Sequence, residues 1–159
     1  MNLNNNKISG SLPIYLSNLK FMTNTSMMGC YYGYYGVVLW NSHLNSVSTV
    51  FKGQELNYGS IYRVLQTRMM SIDLSSNNLI GKIPEEIVLL DGLVNLNLSW
   101  NHLSGVIPNK IGEMRSLESL DLSRNMLSGE IPATLSNLTF LSYLDLSYNN
   151  LTGRIPSGS

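Results

Sequence analysis

The sequence contains very little cysteine and very little charge. A single cysteine, Cys30, excludes a disulfide within the chain and any metal site built from several cysteines. Charged residues make up 13% of the 159 residues, about half of the roughly 25% that is usual in soluble domains. Ten basic residues balance ten acidic ones, so no basic field attracts nucleic acid or an anionic membrane surface. We therefore expect no nucleic-acid partner.

Long hydrophobic runs and a secretion signal are also missing. The first ten residues, MNLNNNKISG, contain no basic stretch followed by an apolar one, which is the pattern of a signal peptide. The most apolar run, Met27 to Trp40, contains four tyrosines and three glycines and is about six residues too short for a membrane span. We expect that this chain itself neither enters nor crosses a membrane.

Groupings typical of catalysis are absent as well. The two histidines, His43 and His102, show no spacing that links them to Cys30 or to another nucleophile. The sequence has no phosphate-binding glycine loop and no kinase signature. We therefore expect no enzyme activity, no catalytic residue, no cofactor and no metal site.

The sequence does contain an internal repeat. The segment Ile72–Pro84, IDLSSNNLIGKIP, recurs as Leu96–Pro108, Leu120–Pro132 and Leu144–Pro156, each 24 residues after the last. Met1–Pro13 carries the same pattern but starts 71 residues before the next copy, which is one repeat plus 47 residues. Repeats of this length predict a solenoid, because one unit cannot bury its own apolar face and stacked units can.

Each unit has a physical interpretation. Its Leu-x-Leu alternation predicts a short strand with one buried face, paired in parallel with its neighbours. Its glycine permits a tight bend, and its Ile-Pro pair favours an extended segment. Apolar residues at intervals of three, such as Ile111, Met114 and Leu117, predict helical turns on the convex side. One asparagine recurs in every copy, and its amide can satisfy backbone groups at the turn that follows the strand: Asn6, Asn77, Asn101, Asn125 and Asn149.

This pattern, LxxLxxLxLSxNxLSGxIPxx, resembles the plant-type leucine-rich repeat of receptor kinases, receptor-like proteins and polygalacturonase inhibitors. The resemblance covers residues 1–22 and 69–156. It implies an α/β solenoid with short parallel concave strands, convex helical turns and an inserted island. We expect one leucine-rich repeat at residues 1–22, an island insertion at 23–68 and four repeats of 24 residues over 69–159.

Residues 23–68 interrupt the repeat and are rich in Tyr, Met, Gly and Ser, with a strand-like stretch at Ser46–Phe51. The segment Val50–Tyr58, VFKGQELNY, resembles the end of the island domain of plant leucine-rich-repeat receptor-like proteins, although that family has a tyrosine where this chain has His43. The resemblance implies that Lys52 and Tyr58 contribute to ligand or co-receptor binding. A loop without order is the alternative.

Comparison of the copies separates constant positions from varying ones. One nearly uniform column is predicted to lie on the exposed strand face with a structural role: Asp73, Asn97, Asp121 and Asp145. Neighbouring columns vary and include large anchors of the kind that protein interfaces favour. We predict ligand or co-receptor binding by Trp100, Arg124, Tyr143 and Tyr148. The alternative is that these side chains cover a glycan or one another.

Four Asn-x-Ser/Thr triplets are glycosylation candidates: Asn24, Asn97, Asn137 and Asn150. A composition so rich in Asn, Ser and Thr produces several such triplets by chance. We expect Asn97 to point outward from a strand, where a glycan would block part of the predicted binding face.

The resemblance implies binding of an extracellular peptide or protein ligand and of a co-receptor kinase ectodomain, in defence or developmental signalling. The parent receptor would be anchored in the plasma membrane with this part on its extracellular side. Two alternatives remain: a soluble enzyme-inhibitor type of leucine-rich-repeat protein, and a non-functional truncated receptor copy. Because cysteine-containing caps are missing, we expect a fragment whose bare ends make the isolated chain self-associate.

Overall fold

The computed structural model describes residues 1–19, 47–51, 54–58 and 70–156. Its strands are short and its helices are single turns of the 3-10 type. The strands are β1 (Ser9–Ser11), β2 (Val47–Phe51), β3 (Gln54–Tyr58), β4 (Ser71–Asp73), β5 (Asn78–Lys82), β6 (Asn95–Asn97), β7 (His102–Gly105), β8 (Ser119–Asp121), β9 (Met126–Glu130), β10 (Tyr143–Asp145) and β11 (Asn150–Thr152). The 3-10 helices are η1 (Ile14–Asn18), η2 (Glu85–Leu89), η3 (Ile111–Glu113) and η4 (Ala133–Asn137).

The first parallel sheet has the order β4-β6-β8-β10. Its register advances by one repeat per strand, so Ile72 pairs with Leu96 and Leu120 pairs with Leu144. These leucine and isoleucine positions face a core of stacked apolar layers, in which Ile72, Leu96 and Leu120 are almost completely buried. The predicted solenoid with parallel concave strands is therefore confirmed.

The first repeat stacks directly on the repeat that begins at Ile72. Asn2 forms a parallel bridge with Asp73, and β1 pairs in parallel with β5, Ser9 opposite Asn78. Two units separated by 71 positions in the sequence are thus neighbours in space. The insertion therefore does not separate the first repeat from the next one.

A second parallel sheet, β1-β5-β7-β9-β11, runs along the other edge of the array. The sequence analysis predicted bends and extended segments in this region but no sheet. Each repeat places an extended stretch here at the same height, and regular stacking brings equivalent stretches close enough to pair. Within β5 the backbone of Gly81 has φ +80°, a conformation that glycine adopts without strain. The glycine of every repeat has a positive φ, between +77° and +95°, so the same bend recurs in each copy.

The convex side consists of the 3-10 helices, as the spacing of apolar residues predicted. Pro84 is extended, with ψ 142°, and η2 begins at the next residue. The predicted apolar residues Ile111, Met114 and Leu117 are almost completely buried. Neighbouring turns pack so closely that a Cβ atom on Gly112 would lie 2.0 Å from the backbone carbonyl oxygen of Thr134.

Within residues 23–68 the structure describes β2 and β3 only. They form an antiparallel pair in which Val47 lies opposite Tyr58 and Phe51 opposite Gln54. The strand predicted at Ser46–Phe51 is therefore confirmed from Val47 onward. The aromatic cluster at residues 31–40 lies outside the described residues.

Candidate functional site

The recurring asparagines join successive repeats through buried hydrogen bonds. The amide nitrogen of Asn101 donates to the carbonyl oxygen of Leu74 in the preceding repeat, at 3.0 Å, and to that of Leu98 in its own repeat, at 3.1 Å. Its amide oxygen accepts from the backbone N–H of Leu79 at 3.0 Å. Asn125 repeats all three contacts one unit further along. This set of asparagines, which we call the asparagine ladder, holds the turns in place as predicted.

The constant column of acidic and amide residues also has a local structural role. The Asp73 carboxylate accepts from the backbone N–H of Ser75 at 3.0 Å and from its hydroxyl at 2.7 Å. Asn97 accepts the same two bonds from Ser99. The prediction that this column faces solvent is wrong for Asp73 and Asn97, which are buried. Adjacent repeats lie so close together that each covers the side chains of the next.

Burial bears directly on Asn97 as a glycosylation candidate. Its side chain is only 5% exposed, and its oxygen holds Ser99. A glycan on its nitrogen would require this side chain to leave its place in the sheet. Asn137 and Asn150 are exposed, and Asn24 lies outside the described residues. All four remain candidates, and the two exposed ones fit a glycan without rearrangement.

The position just before each ladder asparagine has an uncommon backbone conformation. Ser76, Trp100, Arg124 and Tyr148 all have φ +54°, and Asn5 has φ +53° in the first repeat. The sequence analysis did not predict this, because Trp, Arg and Tyr rarely adopt left-handed conformations. We call the set Ser76, Trp100, Arg124 and Tyr148 the corner row.

Backbone hydrogen bonds between repeats hold the corner row rigidly. Arg124 donates its backbone N–H to the carbonyl oxygen of Ser147 at 2.9 Å, and Trp100 donates to that of Ser123 at 3.1 Å. The carbonyl oxygen of Arg124 accepts from the N–H of Asn101 at 3.2 Å. Trp100 and Arg124 are therefore tied to the following repeat and to the preceding one, and Tyr148 is tied to the preceding one through its carbonyl oxygen.

The structure brings three of the four predicted concave residues into one stack. The guanidinium carbon of Arg124 lies 4.2 Å from the centroid of the Trp100 ring and 3.9 Å from that of Tyr148. Both distances are well within the range of a cation–π interaction. Trp100 is 56% exposed and Tyr148 is 69% exposed. A large aromatic surface with a positive charge at its centre therefore faces solvent.

The fourth predicted residue, Tyr143, lies in β10 on the same face as Asp145. Burial raises the pKa of the Tyr143 hydroxyl above its ordinary value, and the carboxylates of Asp121 and Asp145 raise it further. Burial likewise raises the pKa of Asp121, and the Asp145 and Asp73 carboxylates add to this shift, although hydrogen bonds from Ser123 oppose it. Tyr143 therefore lies among acidic groups, and Arg124 supplies the positive charge of the stack.

The two candidates from the insertion cannot be placed in this site. Lys52 lies outside the described residues, and Tyr58 ends β3 with its side chain undescribed. In the part of the chain that the structure describes, no group of His, Cys, Asp and Glu side chains could hold a metal ion. The same part contains no helix with the length and hydropathy of a membrane span.

Similar structures come from plants. The chain is 28% identical, with a TM-score of 0.65, to the leucine-rich-repeat ectodomain of the Arabidopsis thaliana membrane receptor kinase GASSHO1/SCHENGEN3, solved in complex with CASPARIAN STRIP INTEGRITY FACTOR 2. It is 33% identical, with a TM-score of 0.57, to the Arabidopsis receptor kinase HAESA, solved with the peptide hormone IDA and the co-receptor SERK1. These matches cover 98% and 96% of this chain.

A plant ice-binding protein is 44% identical over 53% of this chain, with a TM-score of 0.51. The chain spans only 13% of the GASSHO1/SCHENGEN3 structure, 22% of the HAESA structure and 27% of the ice-binding protein. No curated protein matches the chain significantly.

Two family models, both described as leucine-rich repeats, match the chain. One covers residues 91–151, and the other covers residues 1–19 and 68–90. Together they span more than half of the sequence, including both repeats that flank the insertion. The chain therefore belongs to the leucine-rich-repeat family and resembles plant receptor ectodomains.

Proposed function

We propose that this chain is the protein- or peptide-binding part of a plant cell-surface receptor-like protein, which perceives an extracellular ligand and docks a co-receptor. The observation that carries the proposal is the exposed stack of Trp100, Arg124 and Tyr148. Aromatic and arginine side chains are the commonest energetic anchors of protein interfaces. Here the backbone that carries them is held by hydrogen bonds between repeats, and their side chains stack on one another, which lowers the conformational entropy lost on binding.

Similarity to receptor ectodomains supports the same proposal. Two similar structures were solved with a bound factor or peptide hormone, and one of them also with a co-receptor. The alternative represented by the ice-binding protein fits the corner row less well. A periodic ligand would favour the same side chain in every repeat, whereas this row changes from Ser76 to Trp100, Arg124 and Tyr148.

The co-receptor part of the proposal is tested with the SERK1 ectodomain and the immobilised chain in biolayer interferometry. We expect Trp100→Ala combined with Tyr148→Ala to weaken binding at least about tenfold, because two anchors and the packing of Arg124 are lost. The matched control is Tyr15→Ala combined with Phe140→Ala, since both residues are exposed aromatics outside the corner row.

Equal weakening by both double variants would contradict a site at the corner row. Absence of SERK1 binding by the unmodified chain would contradict docking to this co-receptor. Chemical denaturation of each variant checks that the repeats remain folded, because an unfolded array would lose binding for an unrelated reason.

A further inference from the structure

We infer that the face of the Trp100 ring opposite Arg124 is the binding site for an aromatic side chain of the bound peptide or protein. The inference rests on the proposed binding function and names the class of side chain that this part of the corner row recognises. We call the space over Ser76, between Trp100 and Asn5, the serine slot.

The slot exists because one member of the row is small. Along the array, the position before each ladder asparagine is occupied in turn by Asn5, Ser76, Trp100, Arg124 and Tyr148. Arg124 covers one face of the Trp100 ring at 4.2 Å. On the opposite side the row continues with Ser76, whose exposed side chain is too short to cover an indole. A large aromatic face, on a residue that is 56% exposed, therefore has no large neighbour within the row.

The spacing of the repeats gives the slot the width of one ring. Neighbouring parallel strands lie about 4.8 Å apart, so Trp100 and Asn5, two repeats apart, are separated by about 10 Å. A ring in van der Waals contact with the indole would lie about 4 Å from it. An inserted ring would thus take the place in the stack that a large side chain at position 76 would occupy.

The walls of the slot are held by backbone hydrogen bonds between repeats. Ser76 donates its backbone N–H to the carbonyl oxygen of Ser99 at 3.0 Å, and its own carbonyl oxygen accepts from the N–H of Asn6 at 3.2 Å. Asn5 donates its backbone N–H to the carbonyl oxygen of Ser75 at 3.0 Å. The slot is therefore formed before a ligand arrives, which lowers the cost of binding.

Charge and polarity favour an aromatic occupant over a cationic or an aliphatic one. A second cation in the slot would lie two row positions from the Arg124 guanidinium and be repelled by it, whereas a neutral ring is not. An aliphatic side chain would bury apolar surface but would gain no ring stacking. In the part of the chain that the structure describes, the side chains of Asn5 and Ser76 make no hydrogen bond. They are available to a phenol hydroxyl, so tyrosine fits the slot best.

The test is a titration of the isotope-labelled full chain, followed through the NMR signals of the Trp100 indole N–H and the Ser76 backbone N–H. N-acetyltyrosinamide supplies the aromatic ring, N-acetylleucinamide is the aliphatic analogue and N-acetylargininamide is the cationic one. A stacked ring shifts nearby signals through its ring current, which neither of the other two probes can do.

We expect N-acetyltyrosinamide to bind at least about threefold more tightly than either analogue. Ser76→Tyr should abolish this binding, because its own ring fills the slot, and Tyr148 shows that the row accepts a tyrosine with φ +54°. Ser136→Tyr places the same side chain at an exposed serine on the convex side and should leave the binding intact. Trp100→Leu removes the ring face and should abolish the binding independently of Ser76. Amide spectra check that each variant remains folded.

Three results would overturn the inference: equal or tighter binding of the leucine or arginine analogue, unchanged binding of N-acetyltyrosinamide in Ser76→Tyr, or ring-current shifts centred on Tyr148. The proposed function fails separately, through the SERK1 measurement. Loss of SERK1 binding in the Trp100 and Tyr148 double variant, without a preference for N-acetyltyrosinamide, would reject this inference and keep the proposed docking surface.

Discussion

Two adjacent positions of each repeat behave in opposite ways. The asparagine ladder is identical in every copy and is buried in the inner repeats, whereas the corner row, one residue earlier, varies and lies nearer to solvent. Asn125 bonds to Leu98 and Leu103 of the preceding repeat, while the Arg124 guanidinium packs between two rings of its own row. Identity between copies therefore follows from bonds that every pair of repeats must make. Variation marks side chains that those bonds do not constrain.

The largest effect on stability should come from removing one asparagine of the ladder while the corner row is kept. Asn125→Ala leaves the buried Leu103 N–H without its partner and removes one of the two amide donors to the Leu98 carbonyl, and we expect a loss of about 3 kcal/mol in the free energy of unfolding. Arg124→Asn is the matched control at the preceding residue, and it should change stability by less than about 1 kcal/mol, since relief of the left-handed strain offsets the lost ring packing. Urea denaturation measures both. Comparable losses in the two variants would contradict the comparison.

A smaller effect is expected at a position that differs between copies and yet has no room for a larger side chain. The position of Gly112 is occupied by Val88 and Ser136 in the neighbouring copies, yet a Cβ atom there would meet the Thr134 carbonyl oxygen at 2.0 Å. Gly112→Ala should therefore cost about 2 kcal/mol, because the convex turns η3 and η4 must separate. Ser136→Ala, at the exposed equivalent site, should change stability little. An unchanged melting temperature for Gly112→Ala would show that the turns can move apart freely.

The smallest effect concerns the charge of Asp121, which belongs to the nearly uniform column of acidic and amide residues on the first sheet. Because burial raises the pKa of Asp121 above the ordinary value of an aspartate, the folded chain binds more protons than the unfolded chain between the two pKa values. Stability therefore falls as pH rises through this window and recovers as pH falls.

Asp121→Asn should remove this dependence and stabilise the chain at pH 7 by at most about 1 kcal/mol, since solvent screens a partly exposed carboxylate. Asn97 already accepts the equivalent hydrogen bonds with an amide, so the geometry is preserved. Denaturation curves from pH 4 to pH 7 measure the effect. A variant less stable than the parent at pH 7 would show that charge strengthens the bond to Ser123 more than burial weakens it.

Much of the fold could be predicted from the sequence because stacking imposes the same demands on each unit. The parallel strands, the ladder asparagines and the buried residues Ile111, Met114 and Leu117 each recur or follow a clear spacing. The second sheet could not be predicted, because its strands carry no Leu-x-Leu alternation of their own. They pair because the first sheet and the convex turns hold the equivalent stretches of successive repeats side by side.

Three residues of the stack were predicted from the sequence as binding residues, a role that stays a prediction, and their geometry was missed. Large varying side chains identified Trp100, Arg124 and Tyr148, but nothing in those residue types indicates a left-handed backbone. The one available sign was Asn5 at the same position in the first copy, since Asn favours that conformation. Burial of Asp73 and Asn97 was missed because a single repeat shows these residues on the outer face of a strand, and only neighbouring repeats cover them.

Direct stacking of residues 1–19 on the repeat that begins at Ile72 has a consequence for how such a chain can change in length. Both ends of the insertion are held by adjacent coils of one array, so the span to be closed is independent of how many residues lie between. The entropy of closing a loop grows only with the logarithm of its length, by about 0.6 kcal/mol for each doubling. This junction can therefore accept longer, shorter or unrelated inserts, while the pitch of the array and the spacing along its corner row stay the same.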